Sequence, residues 1–451
     1  MKDLTQGSIP KHLINMSIPI MVGMLVQTLY FLVDLYFVGG LGETALAGVS
    51  AAGNAMFIII ALTQILNVGT ATLISHAAGR KDRPYANLVF NQSFVISILI
   101  AVMTLVSGYA LADDYLRLVS RDAATIEAGT RYLYWMLPNM ALQFSLVSIG
   151  AGLRGTGIVK PIMLVQMISV LVNIALAPVL IAGWGTGKPM GVAGAGLASS
   201  IAAMVAVGLV VYYFYRLEKY IAVHVAQWKP DMAVWKRLFS VGVPAGGEFL
   251  LLFVYMGIVY WAIQAFGPGA QAGYGLGSRV MQSLFLPVLA ITFAAPAIVG
   301  QNFGAGNAAR VRETFRWTVI MSSLPMAALT LICLWIAPLL VGPFSHNADV
   351  LKVGSGFLAL ICWSFVPTGL VFTCSGLFQG LGNTLPAMVS SATRVLTFAL
   401  PVVWLTQQKG FTLDQIWQLS IATVCIQALV SLYLLRRHMQ KRLQIVQPEA
   451  A

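Results

Sequence analysis

Long apolar runs alternate with short polar segments along almost the whole chain. The runs lie at roughly 13–38, 48–78, 87–112, 130–153, 161–183, 191–215, 238–264, 271–302, 316–341, 353–378, 385–407 and 415–435. Each is long enough to cross the hydrocarbon as a helix, which satisfies its own backbone polar groups. The pattern therefore predicts an all-α polytopic membrane protein with about twelve transmembrane helices. The runs at 48–78 and 271–302 exceed what one upright span needs, so these helices are expected to tilt or to extend past the lipid.

Composition agrees with the pattern. Of 451 residues, 58% are hydrophobic and 9% charged, and the mean hydropathy is +0.82. A soluble domain carries roughly a quarter charged residues, so an ordinary soluble enzyme, a secreted protein and a disordered chain are all excluded. The first apolar run starts near Leu13 and is too long for the core of a cleavable signal peptide. Cys333, Cys362, Cys374 and Cys425 all fall inside apolar runs at no metal-ligand spacing. They read as packing residues, with no disulfide framework, no metal site and no cofactor implied.

The net charge of +12 comes from 27 Lys+Arg against 15 Asp+Glu. In a soluble chain this excess would point to nucleic acid, but here it sits between the apolar runs. The N-terminus (Lys2, Lys11), the even-numbered loops (Arg80, Lys81, Arg83; Arg154, Lys160; Arg216, Lys219, Lys229, Lys236, Arg237; Arg310, Arg312, Arg316) and the C-terminus (Arg436, Arg437, Lys441, Arg442) hold 19 of these residues. The opposite loops hold six: Arg117, Arg121, Arg131, Lys188, Lys352 and Lys409. The positive-inside rule then places both termini and the even loops in the cytoplasm.

The longest polar interruption, 216–237, falls mid-chain and divides an N-lobe (1–215) from a C-lobe with a basic tail (238–451). The halves repeat each other. Pro19, Gly42, Ala45, Ala47, Gly48, Gly79, Gly155, Gly157 and Pro161 recur, each 225 residues later, as Pro244, Gly267, Ala270, Ala272, Gly273, Gly304, Gly380, Gly382 and Pro386. Shared Gly and Pro mean shared backbone geometry. Each half has an even number of spans, so the two insert in the same orientation as a parallel repeat. Two such lobes around a cleft describe an alternating-access transporter better than a channel.

Two carboxylates lie well inside the apolar runs, Asp34 in the first and Glu248 in the seventh. A charge at the bilayer centre costs roughly 2.5–3.5 kcal/mol on insertion scales. Asp34 reads either as a proton or cation site that changes occupancy during a cycle, or as a structural carboxylate bonded to a neighbouring helix. Glu248 reads either as a cavity residue that attracts cationic substrate or as the ion-pair partner of Arg279 or Arg394, the two cations within the spans. The turns Gly152-Leu-Arg-Gly-Thr-Gly and Gly376-Leu-Phe-Gln-Gly-Leu-Gly lack the strand and the Lys-Ser/Thr of a nucleotide site. They read as tight helix–helix turns, so ATP-driven transport has no support.

These residues resemble the multidrug and toxic compound extrusion (MATE) transporters, over nearly the whole chain from Ile18 to about Leu435. The most specific stretches are Ile18-Pro19 through Leu29-Tyr-Phe-Leu-Val-Asp34-Leu-Tyr-Phe-Val-Gly39, and Val299-Gly-Gln-Asn-Phe-Gly-Ala-Gly-Asn307. Leu153-Arg-Gly-Thr-Gly157 and Gly191-Val-Ala-Gly-Ala195 add to them, and the first-span Asp is similar to the DinF-like branch. The resemblance implies a monomeric bacterial inner-membrane antiporter, not an enzyme. It would export organic cations or other amphipathic compounds in exchange for protons or sodium ions. It also implies that Asp34 is the coupling-ion residue, helped by Asn173 and by Ser199 at the position of a family Thr; Pro19, where a backbone hydrogen bond is missing, is the expected hinge of the first span. The family's Asn-x-x-x-Asp-Pro stands here as Asn173-Ile-Ala-Leu-Ala177-Pro178, without the second Asp. Sodium wants several oxygen ligands and compensating charge, whereas one carboxylate can cycle a proton, so protons are expected. The C-lobe carboxylates of the NorM-like branch are not matched: Thr368 stands at one such position, and Glu248 lies about one turn from the other.

Three other readings have less support. A flippase for anionic pyrophosphate lipids would be expected to line its cavity with Arg and Lys, and only Arg279 and Arg394 lie deep. A membrane-embedded lipid enzyme would need clustered polar catalytic groups near one interface, and none is found. A pure scaffold, with Ala177 marking decay, is opposed by the retained Asp34, Asn173 and Ser199.

Overall fold

The computed structural model describes residues 1–218, 220–345 and 347–446, with nothing said of the side chains at 31, 445 and 446. Lys219, one of the basic residues of the central loop, lies outside the described residues, as does the tail from 447. Among the described residues the secondary structure is helical throughout. The helices are α1 (Ile9–Gly39), α2 (Glu43–Gly53), α3 (Ala55–Gly79), α4 (Arg83–Val119), α5 (Ala123–Gly155), α6 (Lys160–Ala182), α7 (Val192–Arg216), α8 (Met232–Ile263), α9 (Pro268–Gly304), α10 (Ala308–Val341), α11 (Ala348–Ile361), α12 (Phe365–Gly380), α13 (Leu385–Leu405) and α14 (Leu413–Val446). Taken with α2–α3 and α11–α12 as single spans, twelve are long and apolar enough to cross a membrane. The long second run is the α2–α3 pair, broken at Asn54, and the long eighth is α9, which carries Pro287 and Pro296 inside it.

The chain forms two compact units, and their boundaries fall inside helices. One unit comprises Met1–Asp3 and Pro19–Gly242; the other comprises Leu4–Ile18 and Val243–Ala451. The cut in α1 falls just before Pro19, and the cut in α8 falls one residue before Pro244. Both prolines are internal to their helices, where the missing N–H leaves a carbonyl unpaired and loosens the ladder.

In the first unit α5 is the central helix, packed on α2, α3, α4 and α7. Its backbone meets α2 at paired glycines: a Cβ on Gly48 would lie 2.7 Å from Gly129 N, and one on Gly129 would lie 2.8 Å from Gly48 O. In the second unit α9 is central, against α10, α11 and α12. There a Cβ on Gly273 would lie 2.9 Å from Val350 O, and one on Gly354 would lie 3.1 Å from Gly273 O. Gly129 and Gly354 are themselves 225 apart. The turns agree as well. Gly42 and Gly267 precede α2 and α9 with φ/ψ of 106°/172° and 85°/176°. Asp82 and Asn307 cap α4 and α10, while Asp122 and Asn347 cap α5 and α11, each accepting backbone N–H bonds through its side chain.

Two segments that read as connections are bound to helices. In the first unit the stretch after α7 lies on α4. Asn87 donates to Tyr220 O (3.1 Å) and accepts from Ala222 N (2.8 Å). One turn on, Asn91 donates to Ala222 O (2.9 Å) and accepts from His224 N (2.8 Å). Gln92 donates to Gln227 O and Lys229 O and accepts from Asp231 N and the Trp235 indole. In the second unit Gln301 accepts from Leu4 N (3.0 Å) and Asn302 donates to Leu4 O (3.1 Å). The Val299–Asn307 motif thus anchors the segment before α1, and its last residue caps α10.

Candidate functional site

The candidate site lies in the first unit, where α1, α6 and α7 converge. Tyr30 and Asp34 are four residues apart on α1 and so share a face. α7 opens with Val-Ala-Gly-Ala-Gly, and the small residues bring it close to its neighbours. A Cβ on Gly194 would lie 2.4 Å from Leu180 O of α6, and one on Gly196 would lie 2.7 Å from Tyr132 O of α5. This close approach carries Ser199 in among the helices, where it is 1% exposed.

A short hydrogen-bond chain results. The Tyr30 hydroxyl donates to Ser199 Oγ at 2.5 Å, and Ser199 Oγ donates to Ala195 O at 3.1 Å. The Asn173 amide donates weakly to Ser199 Oγ at 3.4 Å. Two oxygens remain buried without a donor, Asn173 Oδ1 and Asp34 Oδ1. Asp34 is only 8% exposed, and Tyr30 and Tyr132 stand near enough to feel its charge. A buried acceptor without a donor costs free energy, more so when it is charged. Among the described residues no cationic side chain pairs with Asp34. Ala177, fully buried one turn after Asn173, offers no oxygen from its side chain.

Asp34, Asn173 and Ser199 therefore belong to one unit, and hydrogen bonding joins the last two. Tyr30 and Tyr132 were not singled out from the sequence. The signal for Tyr30 was available: it lies one turn before Asp34 and recurs at the repeat distance as Tyr255.

The other residues of interest lie in the second unit. Glu248 accepts a bond from Ser375 of α12 at 2.8 Å, and Gln379 donates to the same serine at 3.3 Å. Among the described residues no ion pair joins Glu248 to Arg279 or Arg394, so its partner is a hydroxyl rather than either cation. Arg279 is exposed on α9 between the buried Ser278 and Val280. Arg394 is partly buried, with its guanidinium 4.1 Å from the centroid of the Tyr255 ring.

Known proteins match this chain along its length. Staphylococcus haemolyticus (strain JCSC1435) multidrug export protein MepA is 26% identical over 435 residues, 93% of this chain and 92% of the relative. The protein of the same name from Staphylococcus aureus (strain MSSA476) is 25% identical over 441 residues, with 94% of each covered. Among solved structures, MATE in the bent conformation superposes with a TM-score of 0.92 at 23% identity, covering 98% of each chain. An outward-facing multidrug resistance MATE family transporter of the MOP superfamily gives 0.91 at 23% identity, again over 98% of each. At that identity the two structures speak to the fold alone, which is the same. The MatE family model matches twice, at residues 19–179 and 244–405, once on each copy of the internal repeat, and the chain belongs to this family of membrane transporters.

Proposed function

We propose that this protein is a secondary antiporter of the bacterial inner membrane that exports amphipathic, chiefly cationic, toxic compounds in exchange for protons. The observation that carries the reading is the Asp34 carboxylate, buried in the first unit with an unpaired oxygen, one helical turn from Tyr30, whose hydroxyl bonds Ser199. The staphylococcal relatives named for multidrug export support the cargo class. Proton coupling is preferred to sodium because Ala177 stands where a second carboxylate would complete a multi-oxygen cation site.

In this reading Asp34 takes a proton from the outside and loses a buried charge. α1 then bends near Pro19, where the helix already lacks a backbone hydrogen bond, and the cargo leaves outward. Release of the proton inside resets the cycle by alternating access. The even-numbered loops and both termini face the cytoplasm, and the unit of function is a monomer. Glu248, Arg279 and Arg394 are the polar groups of the second lobe that would face cargo.

The test is efflux of a fluorescent organic cation from vesicles containing the purified protein, under a proton or a sodium gradient imposed separately. Proton-driven efflux that is lost in Asp34→Asn is the expected result. Sodium-driven efflux in the wild type would overturn the coupling, and Asp34→Asn transporting normally at every pH would remove Asp34 from it.

A further inference from the structure

The internal repeat places a counterpart of the Asp34 cluster in the second unit, on the same scaffold but with the opposite charge. Tyr30, Asp34, Asn173 and Ser169 correspond at the 225-residue offset to Tyr255, Val259, Phe398 and Arg394. The tyrosine keeps its habit: Tyr255 Oη lies 2.6 Å from Ser420 Oγ, as Tyr30 Oη lies 2.5 Å from Ser199 Oγ. The acid is gone, replaced by the buried Val259. A guanidinium has come in, stacked over the Tyr255 ring.

Arg394 points inward rather than toward lipid. On α13 it shares a stripe with the buried Ala387, Ser390, Phe398 and Val402, whereas Val389, Leu396, Leu400 and Val403 form the exposed stripe. Its Nε is buried with no hydrogen-bond partner, and among the described residues no carboxylate pairs with it. A cation inside a membrane span is costly and is normally retained for function. Its surroundings are aromatic. Phe398 packs edge-on against Tyr255 at 4.9 Å, Trp417 stacks on Tyr274 at 5.4 Å, and Tyr274 lies within electrostatic reach of Arg394.

We propose that Arg394 is the anion anchor of the second lobe, binding the carboxylate or sulfonate of amphipathic cargo with its unpaired guanidinium edge while the buried Tyr255 ring holds its face. The planar guanidinium suits this role because it can donate two parallel bonds to a carboxylate while its face stays on Tyr255. The cargo would then include zwitterions as well as simple cations. This inference rests on the exporter reading for the identity of its ligand as cargo, although binding can be measured without transport.

Rhodamine 110 and rhodamine 123 carry the same cationic ring system and differ in a free carboxylate against its methyl ester. Their affinities for the purified full chain are read by fluorescence anisotropy in wild type, Arg394→Gln and Arg394→Lys. Loss of one charge-assisted pair should weaken the acid relative to the ester by about tenfold or more in Arg394→Gln. Arg394→Lys should restore part of that ratio. A purely structural cation–π role would weaken both dyes alike, and that result overturns the proposal. So does an unchanged ratio in both variants, or a wild type that does not bind the acid. Chloride displacing both dyes equally would also overturn it, by identifying a site for a small anion. Gradient-driven efflux of rhodamine 123 is scored separately: its absence sinks the exporter reading, while the binding ratio still decides the anchor.

Discussion

At the residue scale, single side chains decide the chemistry on a shared frame. Tyr30 holds Ser199 in a bond of 2.5 Å and stands beside the unpaired Asp34. Tyr30→Phe removes a donor from a buried chain, a loss of about 1 kcal/mol. Roughly a several-fold fall in proton-driven efflux is expected, with the fold retained by circular dichroism. Ala177→Asp places a second carboxylate one turn from Asn173. Under the coupling proposed above, it should create a sodium-driven component in vesicles that lack one in the wild type. Outside the spans, Asp122 caps α5, and the donors of Thr125 hold its carboxyl below the usual carboxylate range. A depressed folded value means stability that is present at neutral pH and lost as pH falls through that value. Asp122→Ala should therefore lower the thermal midpoint at pH 7, and the gap from wild type should close in acid.

At the element scale, close helix approach and bound connections set the frame. Gly129 has no room for a side chain against α2, whereas a Cβ on Gly53 meets nothing within 4 Å. Gly129→Val should cost roughly 1–3 kcal/mol or more through overpacking, measured as a loss of monodisperse protein on gel filtration. Gly53→Ala should be neutral or slightly stabilising, since Ala is the better helix former. The stretch after α7 is tied to α4 by Asn87, Asn91 and Gln92. Replacing all three with Ala should cost roughly 2–4 kcal/mol of local stability. Limited trypsin digestion should then cut within 216–237 faster than in wild type. These three polar residues stand near the start of α4. Their partners lie more than 130 positions away, so no local window could find them.

At the scale of the whole molecule, the repeat and the charge distribution carry different information. The repeat is a property of backbone geometry, seen again in the matching φ/ψ of Gly42 and Gly267 and in the matching caps. Chemistry departs from it freely, as Asp34 opposite Val259 and Arg394 opposite Ser169 make plain. Orientation follows instead from the Lys and Arg of the loops. It predicts that a single cysteine at Lys229, in a background lacking the native cysteines, is labelled by an impermeant maleimide only from the cytoplasmic side. A cysteine at Gly185 should be labelled only from outside, and the reverse pattern would invert the topology.

By itself the sequence determined the helical class, the number of spans, the twofold repeat and the position of Asp34. Each depends on composition or spacing along the chain, where hydrophobicity, helix length and the cost of a buried charge act locally. Only the tertiary structure decided that Glu248 pairs with Ser375 rather than an arginine, that Arg279 is exposed while Arg394 points inward, and that Tyr30 holds Ser199. It also decided that the two compact units divide just before Pro19 and beside Pro244. These are matters of which helix faces meet, and helices in lipid associate through small residues and a few polar pairs. Such contacts leave little trace in the hydrophobic pattern because every face of a span must be apolar.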